Sequence, residues 1–336
     1  MDYQALSSFH FWKYLDDALV RDKYSGERRE SLYPSESSCV YVDPKTKKAR
    51  IIGGCLRKSW YRLLKFKQSN PASTKSQYIF EFGRMVENFI TDLTKVAKVY
   101  DNNSVKFWDR SSSVSGEIDI TVKHPDNNKY IFIECKSTYG GMMRNGYEAG
   151  KARDLFDHYK GAGRNRVFVK GKPKYEHVLQ LATYLYTHKE DPDLLGGKLV
   201  YFLRDNCSRS EHDVHLVEES GKYRVAINGE IDKGFFVEDI YTRYAELAEK
   251  VNQDIKMMRE GVAKEQLTPP DRDYTIEYSA DEIEERVADG RISARMYKSW
   301  QDGKSFPSDW QCSYCSFKDL CWGNRAKQQS EEDEED

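Results

Sequence analysis

The chain has 336 residues, of which 39% are hydrophobic and 32% charged, and this composition excludes a globally disordered protein. No apolar run approaches the roughly 20 residues of a membrane span, and the N-terminal residues lack the charged-then-apolar pattern of a secretory signal. We therefore expect a soluble, cytoplasmic protein without a membrane partner, inside the host cell if the chain is viral. The net charge of −2 includes six acids at 331–336, so the remainder carries +4. We predict that this acidic tail is solvated and disordered.

The first hundred residues predict helices and one short hairpin. Apolar periodicity indicates helices at 4–22, 57–67 and 76–96, and two short strands between residues 39 and 52. The helix at 76–96 is expected to bury one face, made of Phe82, Met85, Val86, Phe89, Ile90 and Leu93.

The middle of the chain alternates strands with helices. Residues 115–123 and 129–137 read as a hairpin, and residues 138–174 form a basic, glycine-rich segment. Further elements are predicted as a helix at 176–188, strands at 198–204, 213–217 and 223–227, and a helix at 235–260. The order predicts an α/β or α+β fold with a mixed central sheet flanked by helices.

The predicted hairpin carries two acids and a lysine that could form a cation site. Alternate side chains of a strand share a face, so Glu134 and Lys136 point the same way, and a partner strand can bring Asp119 beside Glu134. Two carboxylates bind Mg²⁺ or Mn²⁺ through oxygen, and a lysine can orient water or offset charge on a phosphate. The ordinary alternative is an exposed ion pair. The apolar lead-in at 131–133 favours a buried strand, where an unpaired charge is costly.

Four of the seven cysteines have the spacing of a metal site. Cys55 stands alone, whereas Cys312, Cys315 and Cys321 follow the pattern C-x2-C-x5-C. In a reducing compartment such a set is a metal site rather than a disulfide framework. Four thiolates suit both a [4Fe-4S] cluster and zinc, and spacing does not discriminate between them.

These motifs together resemble the PD-(D/E)xK nuclease superfamily, in its RecB-like branch. Asp119 precedes Glu134-Cys-Lys136 by fifteen residues, and Gln180-Leu-Ala-Thr-Tyr184 is similar to the Gln-x-x-x-Tyr helix motif of the branch. The resemblance implies that Gln180 and Tyr184 position the phosphate or DNA, and that the main-chain carbonyl of Cys135 completes the metal ligands. Glu87, in Gly83-Arg-Met-Val-Glu87, stands where many relatives have a histidine ligand, and Glu81 is its nearby competitor.

The cysteines extend the resemblance to the two ends of the domain. Cys55 and the C-terminal three look like the split iron-sulfur motif of CRISPR-associated adaptation exonucleases and AddB-type nuclease domains, which favours a [4Fe-4S] cluster over zinc. The resemblance divides the chain into an N-terminal segment at 1–52, a nuclease domain at 53–322 and an acidic tail at 323–336. Joining residue 55 to residues 312–321 would close a loop of more than 250 residues.

The resemblance implies a metal-dependent exonuclease that cleaves single-stranded DNA ends, with some endonuclease activity, in recombination, repair or replication. Glu87, Asp119 and Glu134 would hold the metal. The sequence contains no phosphate-loop motor motif, so a helicase or recombination partner is expected for duplex DNA. The open alternatives are a non-catalytic DNA-binding subunit and a zinc-stabilised interaction protein, and the oligomeric state stays open.

Two basic regions are candidates for DNA contact. Residues 144–174 combine positive charge with aromatic side chains close to the predicted catalytic strand. The helix after Cys55 carries four basic residues, with Trp60 or Tyr61 available for base stacking or for ordinary packing. These basic residues are Arg57, Lys58, Arg62 and Lys65.

Overall fold

The computed structural model describes most of the chain between residues 31 and 323. The described residues are 31–101, 106–109, 113–127, 129–138, 158–160, 167–169, 171–204, 207–288 and 292–323. The helix predicted at 4–22, the acidic tail and most of the basic segment at 138–174 lie outside them.

The described helices and strands follow the predicted order between residues 38 and 260, except that the strand predicted at 115–123 is divided into Val114–Glu117 and Ile120–Lys123, which belong to different sheets. The strands at 106–109, 158–160, 167–169 and 230–231 and the helices beyond residue 260 were not predicted. The strands are β1 (Ser38–Val42), β2 (Ala49–Gly53), β3 (Lys106–Asp109), β4 (Val114–Glu117), β5 (Ile120–Lys123), β6 (Tyr130–Thr138), β7 (His158–Lys160), β8 (Val167–Val169), β9 (Leu194–Leu203), β10 (Arg209–Glu219), β11 (Lys222–Ile227) and β12 (Glu230–Ile231). The helices are α1 (Leu56–Leu63), α2 (Thr74–Val96), α3 (Tyr175–Thr187), α4 (Val237–Arg259), α5 (Ala280–Ala288), α6 (Ala294–Gln301), α7 (Trp310–Ser313) and α8 (Lys318–Trp322). Short 3₁₀ turns lie at Pro34–Glu36 and Lys264–Gln266.

A mixed sheet forms the centre of the described structure, as predicted. Its six strands within the described residues have the order β12-β11-β10-β9-β6-β5. Neighbours pair antiparallel except β6 and β9, which run parallel across the long connection that contains α3. Helices α2 and α3 contact strands of this sheet, so the mixed α+β architecture with flanking helices is confirmed.

Helix α3 is the central helix of the core. Its residues from Val178 to Leu185 are all buried, as expected for a helix enclosed on every side. The helix approaches the sheet closely at Gly197, where an added Cβ would lie 2.8 Å from a methyl carbon of Leu181. Glycine at this position therefore lets the helix and strand β9 touch.

The proposed boundary between residues 52 and 53 falls inside the β1–β2 hairpin, in which Ser38 pairs with Gly53. Cys39, Tyr41 and Ile52 of this hairpin belong to the same apolar core as α3. A smaller cluster around Tyr278, Ile283 and Ile292 packs separately under α5 and α6. None of the described helices is long and apolar enough to cross a membrane.

The expected buried face of α2 is wrong for most of its residues. Of the six side chains, only Val86 is buried, and Phe82, Met85, Phe89 and Leu93 are between 48% and 62% exposed. The helix instead turns Gly83 toward β6, where an added Cβ would lie 3.6 Å from the Ser137 hydroxyl. The side of the helix that carries Gly83 and Val86, rather than most of the apolar stripe, therefore faces the sheet.

Candidate active site

The β5–β6 hairpin brings Asp119 and Glu134 together. Ile120 pairs with Ile133 across the antiparallel strands, so the residue before β5 lies opposite Glu134. The Asp119 carboxylate accepts a hydrogen bond from the Cys135 main-chain N–H at 2.8 Å. This bond holds one carboxylate against the strand that carries the other.

Glu134 is an acid buried in the middle of the sheet. The residue has no exposed surface, and its Oε1 accepts a short hydrogen bond from Lys136 Nζ. When both acids are ionised, no donor among the described residues reaches its second oxygen, Oε2. Burial raises the pKa of Glu134 to about 8, opposed by the Lys136 charge and reinforced by the charges of Asp119 and Glu87. A buried carboxylate of this kind is costly unless a cation or proton accompanies it.

Asp119 shares this environment. Burial raises the pKa of Asp119, while the Lys136 ammonium and the Cys135 N–H act in the opposite direction. Its carboxyl is also close enough to that of Glu134 for the two to share a proton. The pair therefore behaves as one coupled acidic group.

Helix α2 adds a third acid, Glu87. This residue is half-buried, and burial followed by the negative charge of Asp119 raises its pKa. Glu81, the competing acid one and a half turns earlier, forms an ion pair with Arg84 at 3.0 Å. The geometry thus favours Glu87 over Glu81 as the helix's contribution to the acidic cluster.

Lys136 is the cation within this cluster. Burial lowers the pKa of Lys136, but the charges of Glu134 and Asp119 outweigh that effect and the net shift is upward. The ammonium therefore stays protonated, beside three carboxyl groups. Its side chain is 23% exposed, so it reaches the solvent side of the site.

Gln180 and Tyr184 lie one turn apart on α3 and are both nearly buried. Tyr184 Oη donates a hydrogen bond to the Glu117 carbonyl at 3.0 Å and interacts with the Gln180 side chain. Burial and then the Glu134 charge raise the pKa of Tyr184, so the phenol stays neutral. The pair holds the end of β4, two residues before Asp119.

Cys135 contacts the acidic pair through its main-chain N–H. The residue lies in β6 opposite Val200 of the parallel neighbour, and its N–H donates to Asp119. Burial raises the pKa of its thiol, which therefore stays protonated.

Two residues of this environment were missed in the sequence. Glu117 places a negative charge near both Asp119 and Glu87. His177 hydrogen-bonds Tyr201 Oη at 2.9 Å, and burial together with the positive charge of Lys136 lowers its pKa. The sequence could have indicated His177 by its position, because it lies three residues before Gln180 and therefore on the same face of α3.

The four predicted cysteines line one cavity between the two ends of the fold. Cys55 caps α1, Cys312 belongs to α7 and Cys321 to α8, and Cys315 lies between these short helices. The cavity has a volume of about 20 Å³, and the four thiols are free rather than paired in disulfides. Its basic lining residues are Arg57, Lys58, Arg272 and Lys318.

The thiols of Cys55, Cys312 and Cys315 are neutral in the absence of a cation, because burial raises the pKa of each. Burial raises the pKa of Cys55 to about 11 and that of Cys312 to about 12. The Arg57 guanidinium donates to the Cys321 sulfur at 3.8 Å. Four sulfur donors beside basic groups are chemically suited to an anionic metal-thiolate centre. Nevertheless, no set of three or more His, Cys, Asp or Glu side chains in the described residues already has the arrangement of a formed metal site.

Hydrogen bonds join the two ends of the fold around this cavity. The Leu56 N–H donates to Asp273 at 2.7 Å, and Tyr274 Oη donates to the Gly53 carbonyl at 2.7 Å. Asn70 and Asp319 are also hydrogen-bonded, at 3.0 Å. Residues 53–70 and 270–322 are therefore in contact through protein groups alone.

Trp60 and Tyr61 are not available for base stacking, which corrects the first of the two alternatives considered for them. Trp60 is 1% exposed and donates its indole N–H to Asp254 at 2.7 Å. Tyr61 is 5% exposed and stacks on Phe317. Among the basic residues of this helix, Arg62 forms an ion pair with Glu36 at 2.6 Å. The amphipathic helix uses its aromatic face for the core.

Comparisons with known proteins leave the chain without an assigned family. No family model and no curated protein matches it. A solved structure described as "Crystal structure of SSO0001" is similar at 15% sequence identity, over 76% of this chain and 90% of that chain, with a TM-score of 0.37. These values are too low to assign a fold or a function.

Proposed function

We propose that the protein is a metal-dependent DNA nuclease of the RecB-like PD-(D/E)xK type, acting as an exonuclease on single-stranded ends. The observation that carries the proposal is Glu134, an acid with no exposed surface and an oxygen without a donor when the cluster is ionised. Asp119, Glu87 and a single lysine surround it. A buried concentration of negative charge is best explained by a cation that binds there.

The side chains fit a hard divalent cation. Glu87, Asp119 and Glu134 supply carboxylate oxygens, and the Cys135 carbonyl is the expected main-chain ligand. When bound, Mg²⁺ or Mn²⁺ would lower the pKa of an attacking water and stabilise the charge that develops on a pentacovalent phosphate.

The protein groups around the acids have separate tasks in this proposal. Lys136 stays protonated and orients the attacking water or offsets charge on the phosphate, and its partner Glu134 fixes the ammonium position. Tyr184 and Gln180 hold the backbone of β4 and so fix the approach of Asp119. The reaction requires no covalent enzyme intermediate.

A [4Fe-4S] cluster is proposed for the cysteine cavity, with zinc as the alternative. Four free thiols on one cavity, surrounded by four basic side chains, support a group with several negative thiolates. The cluster would add a covalent link between ends that already contact through hydrogen bonds. Its proposed role is structural.

The first prediction concerns cleavage of end-labelled single-stranded DNA with Mg²⁺ or Mn²⁺. Asp119→Asn and Lys136→Ala should each lower the rate at least ~100-fold, because they remove a cation ligand and the charge beside the phosphate. Lys198→Ala is the matched control, since Lys198 is 29% exposed and forms ion pairs with Glu211 and Asp213 on the same sheet. The control should cleave like the wild type.

Two outcomes of the same assay would contradict the proposal. A wild type that binds the DNA but does not cut it would identify a non-catalytic DNA-binding subunit. Equal cleavage by Lys136→Ala and Lys198→Ala would show that the buried lysine has no part in the reaction.

A further inference from the structure

An open groove beside the acidic cluster has the chemistry of a nucleobase site. It measures about 430 Å³ and is lined by Thr74, Lys75, Tyr78, Ile79, Phe82 and Arg204. The first five belong to α2, and Arg204 follows β9 directly. The groove therefore lies between a helix and the end of a central strand.

The groove is next to the proposed reaction centre. The Arg204 N–H donates to the Thr138 carbonyl at 3.0 Å, and Thr138 is two residues beyond Lys136 on β6. Phe82 precedes Glu87 by five residues on α2, which is about 7.5 Å along a helix axis. Stacked nucleotides of one strand are ~3.4 Å apart, so the groove is about two nucleotides from the acids.

The side chains of the groove combine flat aromatic surfaces with positive charge. Tyr78 is 37% and Phe82 48% exposed, and the Arg204 guanidinium lies 5.8 Å from the centre of the Phe82 ring. The Arg204 Nε is buried without a hydrogen-bond partner in the described residues. Lys75 in the first turn of α2 adds a second cation, where the helix dipole also favours an anion. Among the described residues, no acidic side chain lines the groove.

This combination favours single-stranded DNA over an apolar protein partner. Bases stack on aromatic rings without regard to sequence, and adjacent cations attract the phosphates of the strand. A partner helix would use the apolar stripe of α2 further along, at Met85, Phe89 and Leu93, which lies outside this groove. The groove and its two cations, Lys75 and Arg204, lie at the N-terminal part of α2, apart from that stripe.

We propose that the groove binds a base of the single strand about two nucleotides from the scissile phosphate, with Phe82 as the stacking platform and Arg204 contacting the phosphate of that base. This assignment rests on the proposed nuclease function for its location. It gives the site a preference for unpaired bases, because a base inside a duplex cannot lie flat on Phe82.

Binding of a fluorescent oligothymidylate, measured by anisotropy with Ca²⁺ in place of Mg²⁺, tests the groove without requiring cleavage. Phe82→Ala should weaken binding about 5- to 150-fold, the effect of losing one base–aromatic stack. Phe82→Trp should bind like the wild type. Phe89→Ala is the matched control, since Phe89 is 53% exposed on the same helix but does not line the groove. It should stay within about twofold of the wild type.

The salt dependence of binding separates the two roles. Arg204→Gln should reduce the slope of the logarithm of affinity against the logarithm of salt concentration by ~0.7, because one phosphate contact to a single strand is lost. Phe82→Ala should leave that slope unchanged, because stacking releases no counterions.

Three results would overturn the assignment. Equal effects of Phe82→Ala and Phe89→Ala would indicate a general apolar surface, and unchanged affinity would exclude stacking. A lower sedimentation mass of Phe82→Ala without a loss of DNA affinity would make the groove a protein interface.

Cleavage by the wild type with DNA binding unaffected by Phe82→Ala keeps the nuclease and removes the groove. A wild type whose DNA binding depends on Phe82 but that never cleaves DNA keeps the groove and removes the nuclease.

Discussion

At the scale of single residues, Glu134 links stability to chemistry. Its carboxyl has a pKa raised from 4.5 to about 8 because it is buried beside Asp119 and Glu87. The folded state therefore holds this proton more tightly than the unfolded state. The resulting stabilisation is fully present below pH 4.5, and it is lost as the pH rises through about 8.

The melting temperature of the cation-free protein should consequently fall between pH 5 and pH 8.5, by less in Glu134→Gln than in the wild type. The amide cannot ionise, so it removes the contribution of Glu134 to that pH dependence. Thermal unfolding followed by circular dichroism at several pH values measures the difference. Glu211→Gln, at an exposed position of β10, is the control and should behave like the wild type. Parallel curves for wild type and Glu134→Gln would contradict the burial argument.

A divalent cation should reverse this pattern in the wild type. Mn²⁺ at pH 8 is expected to raise the melting temperature of the wild type and to raise that of Glu134→Gln much less, because the ligand carboxylate is missing. The comparison of the two proteins with and without Mn²⁺ measures cation binding independently of any cleavage.

At the scale of elements, glycines determine how closely helices approach the sheet. An added Cβ at Gly197 would lie 2.8 and 2.9 Å from the methyl carbons of Leu181, and Leu181 is fully buried. Gly83 on α2 is different, since its added Cβ would meet only the Ser137 hydroxyl at an ordinary 3.6 Å. Alanine at strand position 197 and at helix position 83 is therefore expected to have opposite effects on stability.

Gly197→Ala should destabilise the protein by about 1–3 kcal/mol, because the core must move to admit the methyl group. Gly83→Ala should stabilise it by about 0.5–1 kcal/mol, because alanine is the better helix former. Urea unfolding of the two variants and the wild type gives both values. Stabilisation by Gly197→Ala would show that the helix–sheet distance at Gly197 is not the limiting contact, and destabilisation by Gly83→Ala would show that α2 has no room for a methyl group there.

At the scale of the whole molecule, the cysteine cavity joins segments that are more than 200 residues apart in the sequence. The polar contacts at Asp273 and Tyr274 already hold these segments together, so a cluster would reinforce an existing contact rather than create it. Loss of the cluster should loosen the fold without abolishing it.

The proposed [4Fe-4S] cluster predicts that the wild type is brown and contains about four iron and four sulfide ions per chain. Cys312→Ala should lose both and should unfold at a lower temperature. Cys207→Ala is the control, because Cys207 is exposed and does not line the cavity. Absorbance and iron analysis of protein purified without oxygen give the result. A colourless wild type that contains one zinc would replace the cluster with the zinc alternative.

The amino-acid sequence by itself determined the type and order of most elements between residues 38 and 260 and the position of each motif on them, but it predicted one strand at 115–123 where the structure has β4 and β5. Apolar periodicity placed α2, α3 and α4 within a few residues of their observed ends, and alternation placed Glu134 and Lys136 on one strand face. These properties are local, since they depend on side chains a few positions apart. The spacing also identified four cysteines that line a single cavity.

Only the tertiary structure decided which faces are covered and which acids meet. Periodicity shows that residues share a side of a helix, but long-range packing selects the side that faces the core. The apolar stripe of α2 is exposed while Gly83 faces the sheet, and Trp60 and Tyr61 pack inside rather than facing solvent. Likewise, the raised pKa of Glu134 comes from its burial in the central sheet, with Asp119 from the neighbouring strand and Glu87 from α2 as the added charges. A charged side chain destabilises the folded state only where folding removes the water around it.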